Sequence, residues 1–105
     1  MTQIISSQRY LEDEIIKEKI ESEDFEVLVS PKFDIDGETY QVIIDGHHSY
    51  HAAIKTGNTP IYTVASCQDS DNVAILEYDN DPERFLETAY IDSDYYDIET
   101  DIDIW

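Results

Sequence analysis

The residues best suited to chemistry gather in one short run, Asp45-Gly46-His47-His48-Ser49-Tyr50-His51, which holds all three histidines of the chain. Such a run could do three kinds of work. Imidazoles bind zinc, and His47 with His51, or His48 with His51, would share one face of a helix, Asp45 supplying a further ligand. An aspartate beside a histidine could also pass protons, with Asp45 or Glu38 as the base and His47 as the acid or phosphate donor, His48 being a further candidate. A glycine turn opening a helix binds anions through its free amides. The zinc option needs a third or fourth ligand, and His47 and His48 are expected in the turn rather than on the helix, so no metal is assigned. Cys67 has no base near it in sequence and reads as a small buried residue, not a nucleophile.

The surrounding sequence supplies elements to position this run. From Glu38 to Ile44, Tyr40, Val42 and Ile44 alternate with Thr39, Gln41 and Ile43, the period of a strand. Asp45-Gly46 ends it in a sharp turn. Ser49 to Thr56 then reads as a helix, with Ala52 and Ala53 suited to close packing, Lys55 near its end and Gly57 just past it. Pro60 to Val64 is extended again. A strand, a glycine turn and a helix start would aim free N–H groups from Gly46 to Tyr50 at one spot.

The stretch VIIDGHHSYHAAIKTGNTPIYTV, Val42 to Val64, resembles the core of the ParB/sulfiredoxin superfamily, in which a strand leads into a Gly-His-His-Arg-like box, an Ala-rich helix, a Gly turn and a short strand. The resemblance implies a nucleotide-phosphate site at Gly46, His47, His48 and Ser49, with Tyr50 beside them. Ser49 stands where the family usually has arginine, and His47 where sulfiredoxins carry their reactive cysteine. The run DNVAILEYDND, Asp71 to Asp81, is similar to the second ParB box in keeping Glu77, without its basic residues. The implied fold is α+β, a small mixed sheet flanked by helices, over residues 1–90.

Charge is the second signal. The chain has 25 acidic and 6 basic residues, a formal net charge of −19, which repels nucleic acid and anionic membranes and favours a protein partner with a basic surface. Hydrophobic residues make up 41% of the chain, enough for one small core. A single cysteine excludes an internal disulfide framework and fits a reducing compartment. The N-terminus lacks the charged flank and apolar run of a signal peptide, and no stretch is long and apolar enough to span a membrane, so the expected location is cytoplasmic.

The remaining elements follow in order. A helix is expected from about Gln8 to Ser22, capped by Ser6 or Ser7, with Leu11, Ile15, Ile16 and Ile20 as its apolar stripe. Phe25 to Val29 reads as a strand, and Phe33 and Ile35 as loop anchors. Val73 to Tyr78 suits either a strand or a helix, the family likeness favouring helix. Asp81-Pro82-Glu83 is a helix start. Thirteen acids and one base, Arg84, lie from Asp69 onward. In the segment 91–105, Asp97, Glu99, Asp101 and Asp103 alternate with Ile98, Thr100, Ile102 and Ile104, the pattern of a docked strand with one acidic face. Its carboxylates would repeat every 6.5–7 Å or so, about twice the 3.4 Å phosphate repeat of a DNA strand. Asp92, Asp94, Tyr95, Tyr96 and Trp105 complete this candidate contact surface, Tyr90 adding a further aromatic.

These features point to a non-catalytic ParB-like binding or regulatory module, of phage or plasmid type, that works through the acidic C-terminal surface. One alternative is a nucleotide-dependent phosphotransferase or nuclease at the Gly-His-His box, with a nucleotide and magnesium as its cofactors. Another is a DNA-mimic inhibitor of a nucleic-acid-binding defence protein.

Overall fold

The computed structural model describes residues 2–104. Its elements run β1 (Thr2–Ser6), α1 (Asp13–Glu21), β2 (Glu26–Val29), β3 (Phe33–Ile35), β4 (Glu38–Asp45), α2 (His47–Lys55), β5 (Ile61–Val64), α3 (Val73–Glu77), α4 (Pro82–Thr88) and β6 (Tyr96–Asp97). The strands form one mixed sheet of order β5-β2-β4-β1-β6, with β3 on β4 as well. The fold is thus α+β. No helix among the described residues is long and apolar enough to cross a membrane.

Strand β4 organises the sheet. Its neighbour β1 runs parallel to it, whereas β2 and β3 pair with it antiparallel, one after the other along the same edge. Between those two strands the buried Ser30 bridges the gap. Its amide donates to Val42 O at 2.8 Å, and its hydroxyl accepts from Val42 N at 3.0 Å. The alternation of β4 then builds two cores. Tyr40 and Val42 pack with Ile5, Phe33, Val73, Phe85, Leu86 and Tyr95 beneath α3 and α4. Ile43 packs with Val27, Val29 and Tyr50 beneath α2, and α1 lies against α2.

Several expectations give way to long-range contacts. Helix α1 begins at Asp13, not Gln8, because Ser6 and Ser7 are not caps. Both are fully buried, and Ser7 O accepts from Asp92 N and Ser93 N while its hydroxyl accepts from Ile91 N. Residues Phe33 and Ile35 form β3 instead of a loop. Helix α2 begins at His47, two residues earlier than expected, because Gly46 already serves as its N-cap. The ambiguous Val73 stretch is the short helix α3, and Asp81 caps α4 by accepting from Arg84 N at 3.2 Å, as Asp-Pro predicts.

The tail is not one continuous strand from Asp97 to Asp103. Of the tail's described residues, only Tyr96 and Asp97 pair with β1, antiparallel at Ser6 and Ile5. The Asp97 carboxylate then accepts from Glu99 N and Thr100 N, and Asp101 takes a positive φ of 62°. The chain doubles back so that Asp103 bridges Tyr96 and Ile104 N reaches Tyr95 O at 2.7 Å. A side chain that captures the next amides builds a turn more readily than a strand. The even carboxylate row is therefore broken.

Candidate functional site

Gly46 fixes the geometry at the start of α2. Its φ is 93°, and a Cβ there would lie 2.5 Å from Glu26 O and 3.0 Å from the Val27 Cα. Only glycine allows the turn to press so closely on the β2 backbone. Asp45 is exposed, and its carboxylate accepts from Gly46 N at 2.8 Å. Tyr50 N bonds back to Gly46 O, so the amides of His47, His48 and Ser49 open the helix without intrahelical partners.

The side chains of the box do not converge on those amides. His47 is 4% exposed and faces β1, where its Nε2 hydrogen-bonds with the Ser6 hydroxyl. Burial, reinforced by His51 and His48, lowers its pKa from 6.5 to about 4, so it is neutral at physiological pH. His48 turns toward α1, its Nε2 accepting from Glu12 N at 3.2 Å, which requires an unprotonated nitrogen. His51 is half-buried, and burial lowers its pKa too. Tyr50 is a core residue whose pKa burial pushes up to about 12. The expectation that Tyr50 lines an anion site, and that His47 offers a proton there, is corrected by this burial.

Beside the amides lies an open groove of about 450 Å³, bordered by Asp24, Glu26, Asp45, Gly46 and Ser49. Its one base, Lys19, is held by Asp24 at 2.9 Å. That pairing lowers the Asp24 pKa, helped by Glu26 N, and raises that of Lys19. The groove is therefore electronegative. Among the described residues, no cluster of three His, Cys, Asp or Glu side chains could hold a metal ion.

The acidic surface divides into engaged and free groups. Asp92 accepts from Arg9 N at 2.8 Å, and Asp97 from the two tail amides. The Arg9 guanidinium lies 3.9 Å over the Tyr96 ring and forks to Asp101 at 2.6 Å and Asp103 at 2.8 Å. Asp101 is the main cause of its raised pKa. Sequence reasoning passed over Arg9, although it is one of only two arginines in the chain. Tyr95 and Tyr96, expected on the contact surface, are buried: Tyr95 donates to Leu86 O and Tyr96 to Gln8 O, each at 2.6 Å. Asp94 and Glu99 remain exposed with no side-chain bond among the described residues. Trp105 lies outside the described residues. Cys67 is part-exposed rather than buried, 3.8 Å from the Tyr78 hydroxyl.

No family model, no curated protein and no solved structure matches this chain.

Proposed function

We propose that this chain is a non-catalytic binding module of ParB/sulfiredoxin kind that engages a protein partner with a basic surface. The observation that carries this reading is the charge of the groove at Gly46. A helix start that would otherwise attract phosphate is bordered by Asp24, Glu26 and Asp45, and its one lysine is already paired. Carboxylates so placed oppose an anion and favour lysine or arginine. The kinship is supported by the β4–Gly46–α2–β5 unit, which has the order the resemblance calls for.

A nucleotide-dependent enzyme is favoured by the three free amides of α2, but it lacks the side chains to complete a site. His47 is buried and neutral, and His48 is committed to α1. A DNA mimic would need an even carboxylate row, which the turn after Asp97 interrupts.

Affinity capture on the immobilised chain tests the proposal. Recovered proteins should be basic, should elute with salt, and should bind more weakly to a Glu26→Gln/Asp45→Asn variant of the groove. Capture indifferent both to salt and to that variant would refute it.

A further inference from the structure

Among the described residues, strand β5 stands at an end of the sheet, paired with β2 on one side only. All four of its residues are exposed, with Ile61 at 56%, Tyr62 at 42% and Val64 at 58%. Natural edge strands are normally guarded by charge, proline or a bulge. Here the sequence is Ile-Tyr-Thr-Val, with Pro60 only at its entry. Ile61 N bonds to Phe25 O at 2.9 Å and Ala65 N to Val29 O at 2.7 Å, so these residues face β2. Strand alternation then turns the N–H and C=O of Tyr62 and Val64 outward. The opposite edge differs, since β6 is two residues long and is covered by the return bridge from Asp103.

Charge decides what can cover β5. The electronegative groove at Gly46 reaches Thr63. A second groove, of about 480 Å³, contains Tyr62 together with Glu38, Asp97 and Glu99 and, among the described residues, no base. Glu99 lies near enough to act with burial in raising the Tyr62 pKa. A second copy of a chain of charge −19 would bring the same acids against these, and nucleic acid would bring phosphates.

We propose that the free edge of β5 receives an extended, lysine- or arginine-bearing segment of a partner protein as an added strand. The segment's backbone pairs with Tyr62 and Val64, its apolar residues cover the exposed side chains, and its cations enter the flanking grooves. This rests on the basic-partner function above and names the place and mode of contact.

Amide hydrogen exchange at low ionic strength tests it, with an alternating lysine–valine peptide as probe and a glutamate–valine peptide as control. At about ten times its dissociation constant, the basic peptide should slow exchange at Tyr62 and Val64 about tenfold, the unbound fraction setting the limit. The acidic peptide should have no effect. Val64→Pro removes an outward N–H and no internal bond, and Val64→Lys places a cation on the edge; both should abolish protection at Tyr62. If the basic peptide binds but leaves both amides unprotected, and binds Val64→Lys as tightly, the edge assignment fails while the basic-partner function stands. If it does not bind at all, that function fails too. Protection that rises with protein concentration alone would make the occupant a second copy and overturn the inference.

Discussion

His47 makes a sharp prediction about how this fold responds to acid. Its side chain is buried, bonded to Ser6, and held neutral with a pKa of about 4 against an ordinary 6.5. An unfolded chain protonates the same group near 6.5. Above that pH the two states bind the proton alike and His47 adds no pH dependence. As pH falls, the unfolded state gains a proton that the folded state refuses, and stability is lost until the pH approaches 4. Each pH unit within that window is worth about 1.4 kcal/mol for a single proton, so the loss by pH 5 is about 2 kcal/mol. Acid acts on other groups of this highly charged chain as well, so the wild-type curve alone would mix the effects. The comparison is with His47→Gln, whose amide can still meet the Ser6 hydroxyl but carries no titration. His51 shifts in the same direction in both proteins and largely cancels. Urea unfolding followed by circular dichroism, from pH 7.5 to 5, gives both stabilities. The gap between them should move by about 2 kcal/mol in favour of the variant as pH falls. Parallel curves would mean that His47 can reach a protonated state inside the fold, and the burial reasoning would be wrong.

Three further outcomes follow from the same contacts. Gly46→Ala should cost about 2 kcal/mol or more in thermal or urea unfolding, because the left-handed φ is unfavourable and the new methyl meets Glu26 O; a change within about 0.5 kcal/mol, as at an ordinary surface site, would refute the close packing. Arg9→Met should free the tail locally, speeding amide exchange at Asp97 and Ile104 while leaving the β4 amides protected; unchanged exchange at both would show that Arg9 is no clasp. A thermal-shift screen with ATP, CTP, GTP and phosphate, with and without magnesium, should show no shift. A ligand at about 100 times its dissociation constant stabilises by about 2.7 kcal/mol, so a nucleotide that binds would be seen and would restore the enzyme alternative.

The two ends of the sheet differ in how open they are to association. The β6 end is closed by the tail, where Arg9 holds Asp101 and Asp103 and the turn engages Asp97, while Glu99 stays free. The β5 end is left apolar with carboxylates on both flanks. The free charge that distinguishes this chain thus lies beside the free edge of β5 as well as on the C-terminal segment where composition concentrates it.

What the sequence determined by itself is local. The two-residue period of Tyr40, Val42 and Ile44 specifies β4 and divides the core between two faces, since neighbouring side chains on a strand point oppositely. Asp81-Pro82 marks α4, and Gly46 marks the turn into α2, because cap and turn preferences depend on a few adjacent residues. The α+β class follows from that alternation of strand and helix. The tertiary structure alone decided what each chemical group does. Ser6 and His47 are 41 residues apart, and Arg9 and Asp103 are 94 apart. No window of sequence contains either pair, so serines that read as helix caps became buried partners, and a row of acids that read as a strand face was bent and partly neutralised. The edge status of β5 has the same origin. Whether Ile61 to Val64 ends up inside a sheet or at its rim depends on strand order, and strand order is set by which distant segments pack together.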